Sequence, residues 1–205
     1  MKTKEEKLSL MIQHLGTWKD LVINVYADAS FATADNNLET KSVMGYYIAI
    51  SNENKSMNPL HWKSKIIEKV AEDTKTAETL ALENAIDDAL YLSSMISEIY
   101  TGEKNKQEIP LVLHTDSKSL LESIFSTRKV KRKTMRVVVS SMQQKIKEGK
   151  IKDVFHIGSK EQIADILTKK GVSNHLLLET LKTGSFKTPE DLQNGQSHEY
   201  NINTC

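Results

Sequence analysis

The sequence predicts an α/β protein, a mixed sheet with helices on its faces. Strand-patterned runs follow one another over residues 21–27, 41–50 and 59–63 with only short polar turns between them, the pattern of an antiparallel meander. Helix-patterned and strand-patterned segments then alternate, which adds further strands and covers the sheet. With 39% hydrophobic and 27% charged residues in 205, the chain can bury a full core beneath a solvated surface.

In chain order, residues 1–20 are polar and weakly helical in pattern, and read as a lead-in. The first strand, LVINVYA over 21–27, alternates and is rich in β-branched and aromatic residues. Asp28 is expected where that strand ends, with the small residues Ala29, Ser30 and Ala32 letting the backbone turn and a ligand approach. DNNLET forms a turn, VMGYYIAI a second strand, SNENKS a turn and PLHWK a short third strand. A long helix is predicted over 72–100 on an apolar stripe of Leu82, Ala85, Ala89, Leu92 and Ile96, ended by Gly102 and Asn105. A fourth strand over 109–115, a short helix over 116–125 and a longer helix over 134–147, closed by Gly149, come next. A fifth strand over 150–157 and a helix over 160–170 complete the alternation. The domain proper is read as 21–182, and 183–205 as a polar, flexible tail.

The net charge of +1 neither requires nor excludes a polyanionic partner, so its distribution decides. Between Arg128 and Lys152 the basic residues are Arg128, Lys129, Lys131, Arg132, Lys133, Arg136, Lys145, Lys147, Lys150 and Lys152, and the only acid is Glu148. That is either a solvated helix end or a basic face for phosphates, which would bind without sequence preference and be salt-sensitive. No apolar run reaches about 18 residues, so no membrane span is expected. The N-terminus, with Glu5 and Glu6, lacks the apolar core of a secretory signal. The only cysteine is Cys205, so no disulfide or thiolate metal site forms within the chain, which fits a reducing compartment.

Four acids stand out. Asp28 either caps a turn or sits at the C-terminal end of an apolar strand, where open α/β sheets place their chemistry. Asp116 leaves the strand LVLHT and repeats that situation, unless it serves only as a helix N-cap. Glu78 lies one step back from Leu82 on the apolar stripe, so it either meets a compensating charge or lies in solvent in the first turn. Asp165 sits beside the core-facing Ile163, Ala164 and Leu167, solvated or turned to the same edge. Gathered together, four carboxylates would repel one another and raise one another's pKa values. Hard divalent cations resolve that repulsion: Mg²⁺ binds through a few carboxylates plus waters and substrate phosphate oxygens. Two such ions about 3.5–4 Å apart activate a water and stabilise the leaving oxygen of a phosphodiester.

These residues carry a resemblance. YADAS at 26–30, TKTAETLAL at 74–82, LHTDSKSLL at 113–121 and IADILTK at 163–169 resemble, in order, the four motifs of the ribonuclease H domain of copia-type retrotransposons. HWKSK at 61–65 is similar to the family's Trp-Ser-Ser-Lys segment, and IKEGKI and TKK also fit, so that the resemblance covers about residues 20–182. It implies a ribonuclease H-like fold, a five-stranded mixed sheet with the first three strands antiparallel. It implies Asp28, Glu78, Asp116 and Asp165 as catalytic ligands of two Mg²⁺ ions, with Mn²⁺ as a substitute. The implied activity is endonucleolytic cleavage of the RNA strand of an RNA–DNA hybrid, leaving a 3′-hydroxyl and a 5′-phosphate. The implied setting is a Pol polyprotein, with a reverse transcriptase domain before residues 1–20 as junction. The implied location is the cytoplasm, virus-like particles or the nucleus.

The resemblance has two departures. Cellular relatives carry a mobile histidine in the loop before the last motif, where this chain reads FHIGSKEQ; His156 falls within the fifth strand and reads as an edge or core residue. The family's Arg-Thr-Lys-His segment here reads KRKT, which keeps only the charge. Nucleic-acid contacts are expected from Lys131, Arg132, Lys133 and Arg136, and from Lys63 and Lys65 on another side. Ser30 and Ser117, each close after a site acid, are placed to meet the RNA 2′-hydroxyl or its backbone. Trp62 reads as core rather than as a base-stacking platform. The alternative function is a catalytically silent module of the same fold that binds nucleic acid or a protein partner. An integrase or transposase core is disfavoured, because that class has its glutamate last.

Overall fold

The computed structural model describes residues 10–33, 41–68, 71–103, 109–127 and 132–186. The expectations for residues 1–9, the DNNLET turn, Asn105, Arg128, Lys129, Lys131 and the tail from 187 onward lie outside the described residues, whereas 183–186, expected to begin the flexible tail, are packed: Ser185 bridges to Ser56 and Phe186 lies on Tyr26. Five strands form one sheet in the order β3-β2-β1-β4-β5. They are β1 (Val22–Thr33), β2 (Lys41–Ser51), β3 (Met57–Ile66), β4 (Leu111–Thr115) and β5 (Ile151–His156). β1, β2 and β3 are antiparallel, while β4 runs parallel to β1 and β5 parallel to β4, as the pattern of elements predicts.

Alternation along β1 divides the core between the two faces. Ile23, Val25, Ala27 and Ala29 pack with Leu82, Ala85, Ile86 and Ala89 of helix α1 (Thr74–Thr101). Helices α2 (Lys118–Phe125) and α3 (Lys133–Lys147) extend that layer with Leu120, Ile124 and Met142. On the other face Tyr26 and Tyr47 pack with Ile163 and Ala164, ahead of α4 (Asp165–Thr168), and with Leu176 and Leu177 of α5 (His175–Thr183). Each fully buried leucine or isoleucine contributes about 1.5–3 kcal/mol, so the α1 layer carries most of the burial.

Several expectations change. β1 does not end at Ala27: β2 continues to pair with it as far as Thr33↔Lys41, and only the β4 side stops, at Tyr26↔His114. The helix predicted over 160–170 is broken. Buried Gln162 adopts extended backbone, gives its Nε2–H to the Ala27 carbonyl at 3.0 Å and accepts from the Ala164 N–H at 3.3 Å. A 3₁₀ turn (Ser159–Glu161) therefore precedes it, and α4 starts afresh at Asp165. Trp62 is 60% exposed, not core, because β3 is the edge strand and little covers it beyond His61. Helix α5 is an addition that the sequence pattern does not predict.

The stretch from Leu10 is no helix before the 3₁₀ turn Trp18–Asp20, and it is pinned to the domain. The Gln13 N–H donates to Asn58 Oδ1 (2.8 Å), Asn58 Nδ2 returns a bond to the Gln13 carbonyl (2.9 Å), and Met11 N–H reaches the Leu181 carbonyl (2.8 Å). Leu15 and Trp18 rest on the larger core cluster.

Candidate metal centre

The parallel pairing of β1 with β4 builds the site. Tyr26 is in register with His114, so Asp28 and Asp116 each stand two residues further on, where the pairing has ended. Asp116 does not cap α2. That cap is Ser117, whose hydroxyl accepts from the Leu120 N–H at 3.3 Å, so the Asp116 carboxylate is left for other use. α4 reaches the same edge from the opposite face and brings Asp165 as its first residue. One carboxylate oxygen from each of Asp28, Asp116 and Asp165 lies within 4.8 Å of the other two.

The approach of α4 depends on Gly45. It pairs with Asp28 across β1 and β2, and a Cβ there would lie 2.6 Å from Leu167 Cβ and 2.7 Å from Thr168 Cγ2. α4 is fastened by Ser64, whose hydroxyl donates to the Leu167 carbonyl at 2.6 Å, and by Thr168, whose hydroxyl donates to Asp28 Oδ2. Lys169, at the end of α4, places Nζ 2.8 Å from Asp165 Oδ1 and 3.5 Å from Asp28 Oδ2.

Glu78 is not within the 4.8 Å group but stands next to it. It lies in the second turn of α1, half-buried rather than in solvent, with the Ser117 hydroxyl and Asp116 beside it in the wall of the same cleft. Burial first, and then the charges of Asp116 and Asp28, push its carboxyl above the usual range, against the opposing pull of the Ser117 hydroxyl and Lys169. Asp165 shows the same direction: burial, with Asp28 and Asp116 adding to it, outweighs the Lys169 hydrogen bond. Partial burial works against the charge of Lys169, yet the Asp165 hydrogen bond and the neighbouring carboxylates hold it above its ordinary value. The site is therefore overloaded with negative charge, and its donors are all oxygen. Such a set suits a hard divalent cation.

An open cleft of about 650 Å³ adjoins the acids, lined among others by Lys75, Glu78, Asp116, Ser117, Lys118 and His156. His156 ends β5 and is half-buried on that edge strand, as expected; its Nε2–H donates to the Asp116 carbonyl at 3.2 Å, in the wall of the cleft.

The expected nucleic-acid contacts divide. Ser117 lines the cleft, and Ser30 is buried in β1. Lys63 meets Asp88 at 3.4 Å and Lys65 meets Glu68 at 2.8 Å. The Arg132 guanidinium lies 2.8 Å from Asp73, the N-cap of α1, 3.4 Å from Glu72, and 3.1 Å from the Thr76 hydroxyl. It thereby joins the start of α3 to the start of α1. Lys133 and Arg136 are exposed on the first turns of α3. Gly45, Thr168 and Lys169 join the site without being expected from the sequence. The glycine inside VMGYY carries a usable signal, since glycine in a strand marks close approach of another backbone. Lys169 follows Asp165 at i+4, a pairing distance on a helix.

No protein-family model and no curated protein matches this sequence. Solved structures do match. LC11-RNase H1, isolated from compost and solved in complex with RNA/DNA hybrid, is 20% identical with a TM-score of 0.50, over 71% of this chain and 92% of its own. The fold is ribonuclease H-like. Ribonuclease H1 of Halobacterium salinarum is 14% identical (TM-score 0.48), over 71% of this chain and 93% of its own. The prototype foamy virus ribonuclease H domain is 17% identical (TM-score 0.46), over 82% and 94%. Within a ribonuclease H-like fold, the described acids occupy the C-terminal edge of the two central parallel strands.

Proposed function

We propose that the protein is a metal-dependent endoribonuclease that cleaves the RNA strand of RNA–DNA hybrids. The observation that carries this reading is the meeting of Asp28, Asp116 and Asp165 oxygens within 4.8 Å beside an open cleft. Asp28, Asp116, Asp165 and Glu78 would hold two Mg²⁺ ions, or Mn²⁺ in their place. When bound, these ions supply an activated water and neutralise charge on the leaving oxygen. The water oxygen bonds to phosphorus, the bond to the 3′-oxygen breaks, and that oxygen takes up a proton.

The chain's own residues orient these events. Thr168 and Gly45 fix Asp28 against α4, and Glu78 stands with Ser117 in the cleft wall at the edge of the acid group. Lys75 and Lys118 line the cleft where a phosphate backbone would pass, with Lys133 and Arg136 exposed on α3. That LC11-RNase H1 was solved with an RNA/DNA hybrid supports this choice of substrate. The motifs YADAS, TKTAETLAL, LHTDSKSLL and IADILTK support a copia-type retrotransposon setting, with a reverse transcriptase domain of the same polyprotein as partner, acting in reverse transcription in the cytoplasm, virus-like particles or nucleus.

The test is cleavage of a labelled hybrid. Mg²⁺ or Mn²⁺ should support cutting of the RNA strand, EDTA should stop it, duplex DNA should stay intact, and Asp116→Asn should abolish it. Hybrid binding by the wild-type chain without cutting would instead identify a catalytically silent binding module.

A further inference from the structure

The Lys169 ammonium stands among the acids that the proposed metal centre uses. It lies 2.8 Å from Asp165 Oδ1 and 3.5 Å from Asp28 Oδ2. Its side chain is 38% exposed, against 4% for Asp28 and 13% for Asp165, so it covers the two acids from the solvent side. A dication drawing on both carboxylates would meet this ammonium at a separation where like charges repel strongly.

We infer that Lys169 is a resident counter-ion, which holds Asp28 and Asp165 together without metal and is displaced when a divalent cation binds. This rests on the metal-centre reading. The exchange involves one side chain and not the helix. α4 keeps its place through the Ser64 hydroxyl on the Leu167 carbonyl and the Thr168 hydroxyl on Asp28, while the four-carbon lysine stem swings outward. Lys169 thus lowers the affinity of the centre for metal and stabilises the metal-free protein.

The test compares the full chain with Lys169→Met and Lys169→Arg. Mn²⁺ affinity is read by calorimetry and melting temperature is read without metal. Lys169→Met should bind Mn²⁺ about threefold to tenfold more tightly, as expected for losing a partly exposed ion-pair competitor. It should also melt at a lower temperature without metal, and saturating Mn²⁺ should close that gap. Lys169→Arg, which keeps the cation, should stay near wild type in both. Equal or weaker Mn²⁺ binding by Lys169→Met, with wild-type binding intact, overturns the inference and leaves the metal centre standing. Absence of Mn²⁺ binding by wild type and variant alike overturns the metal-centre reading itself.

Discussion

Gly45 faces Asp28 across the β1–β2 pair, and its missing Cβ is the space into which Leu167 and Thr168 fit. Gly45→Ala would force α4 outward, because the clash involves Leu167 Cβ and its backbone carbon as well as the Thr168 methyl. The expected cost is about 1–3 kcal/mol of unfolding free energy, the range for overpacking. Urea denaturation measures it. Mn²⁺ affinity should fall in the same variant, since Asp165 moves with α4. A variant with wild-type stability and affinity would show that α4 adjusts freely.

Millimolar Mg²⁺ or Mn²⁺ should raise the melting temperature of the wild-type chain, as any ligand of the folded state does; at tenfold above Kd the gain is about 1.4 kcal/mol. Asp116→Asn should do two opposite things. It removes one of the mutually repelling acids, so the metal-free protein should melt higher than wild type, while the shift on adding metal should shrink or vanish. A lower metal-free melting temperature for Asp116→Asn would contradict the crowding of charge described for this site.

His114 gives a pH dependence of known sign. Burial of its ring, stacked on Tyr26 at 4.3 Å with Nε2 at 2.9 Å from Asn24 Oδ1, pushes its pKa down to about 3. In the unfolded chain it titrates near about 6.5. Between those values the unfolded state holds more protons, so the stability contributed by neutral His114 is intact above about pH 6.5 and is lost as pH falls toward 3. The slope is at most about 1.4 kcal/mol per pH unit. The raised carboxyls of Glu78 and Asp165 act with the opposite sign just above the usual carboxylate range, because there the folded state holds the extra protons. Subtracting the urea-unfolding profile of His114→Phe from that of wild type isolates the histidine. A flat difference between pH 4 and pH 6.5 would rule the effect out.

On α3, Arg132 and its exposed neighbours Lys133 and Arg136 are tested separately. Arg132 is engaged by Asp73, Glu72 and Thr76, so Arg132→Gln should lower stability, by no more than about 1 kcal/mol for partly exposed ion pairs. Replacing Lys133 and Arg136 together by Gln should weaken hybrid binding at low salt. It should flatten the dependence of log affinity on log salt by roughly one unit for each phosphate that is no longer neutralised. Fluorescence anisotropy across a salt series reads this directly. An unchanged salt slope would move the hybrid's path off α3.

The sheet was legible because its strands are written in alternation and its turns in polar clusters, and the long helix because Leu82, Ala85 and Ala89 recur at helical spacing. Asp28 and Asp116 could be paired in advance because both leave apolar strands. What escaped was set by contacts between distant segments. Gln162 binds the Ala27 carbonyl across 135 positions and stops a helix that local pattern favours. β1 outlasts its apolar run because β2 keeps pairing with it past Asp28. Trp62 is exposed for a reason of position, not of type, since nothing in HWKSK says that the third strand lies at the sheet's edge. The commitment of Lys63, Lys65 and Arg132 to acids of the same chain likewise depends on packing that their basic neighbourhood does not encode.

Gln13 has a consequence for how the molecule comes apart. Its backbone exchanges two bonds with Asn58, and its side-chain amide reaches the Thr183 carbonyl at 3.0 Å, 170 positions away. With Met11 on Leu181 and Met57 on the Gly184 carbonyl, three remote strips of chain are clasped around the start of β3. Trimming the chain ahead of Trp18 removes the bonds to Leu181 and Thr183, so the last turn of α5 should fray and its amides should exchange with solvent faster, while Leu176 and Leu177 keep its first turn seated.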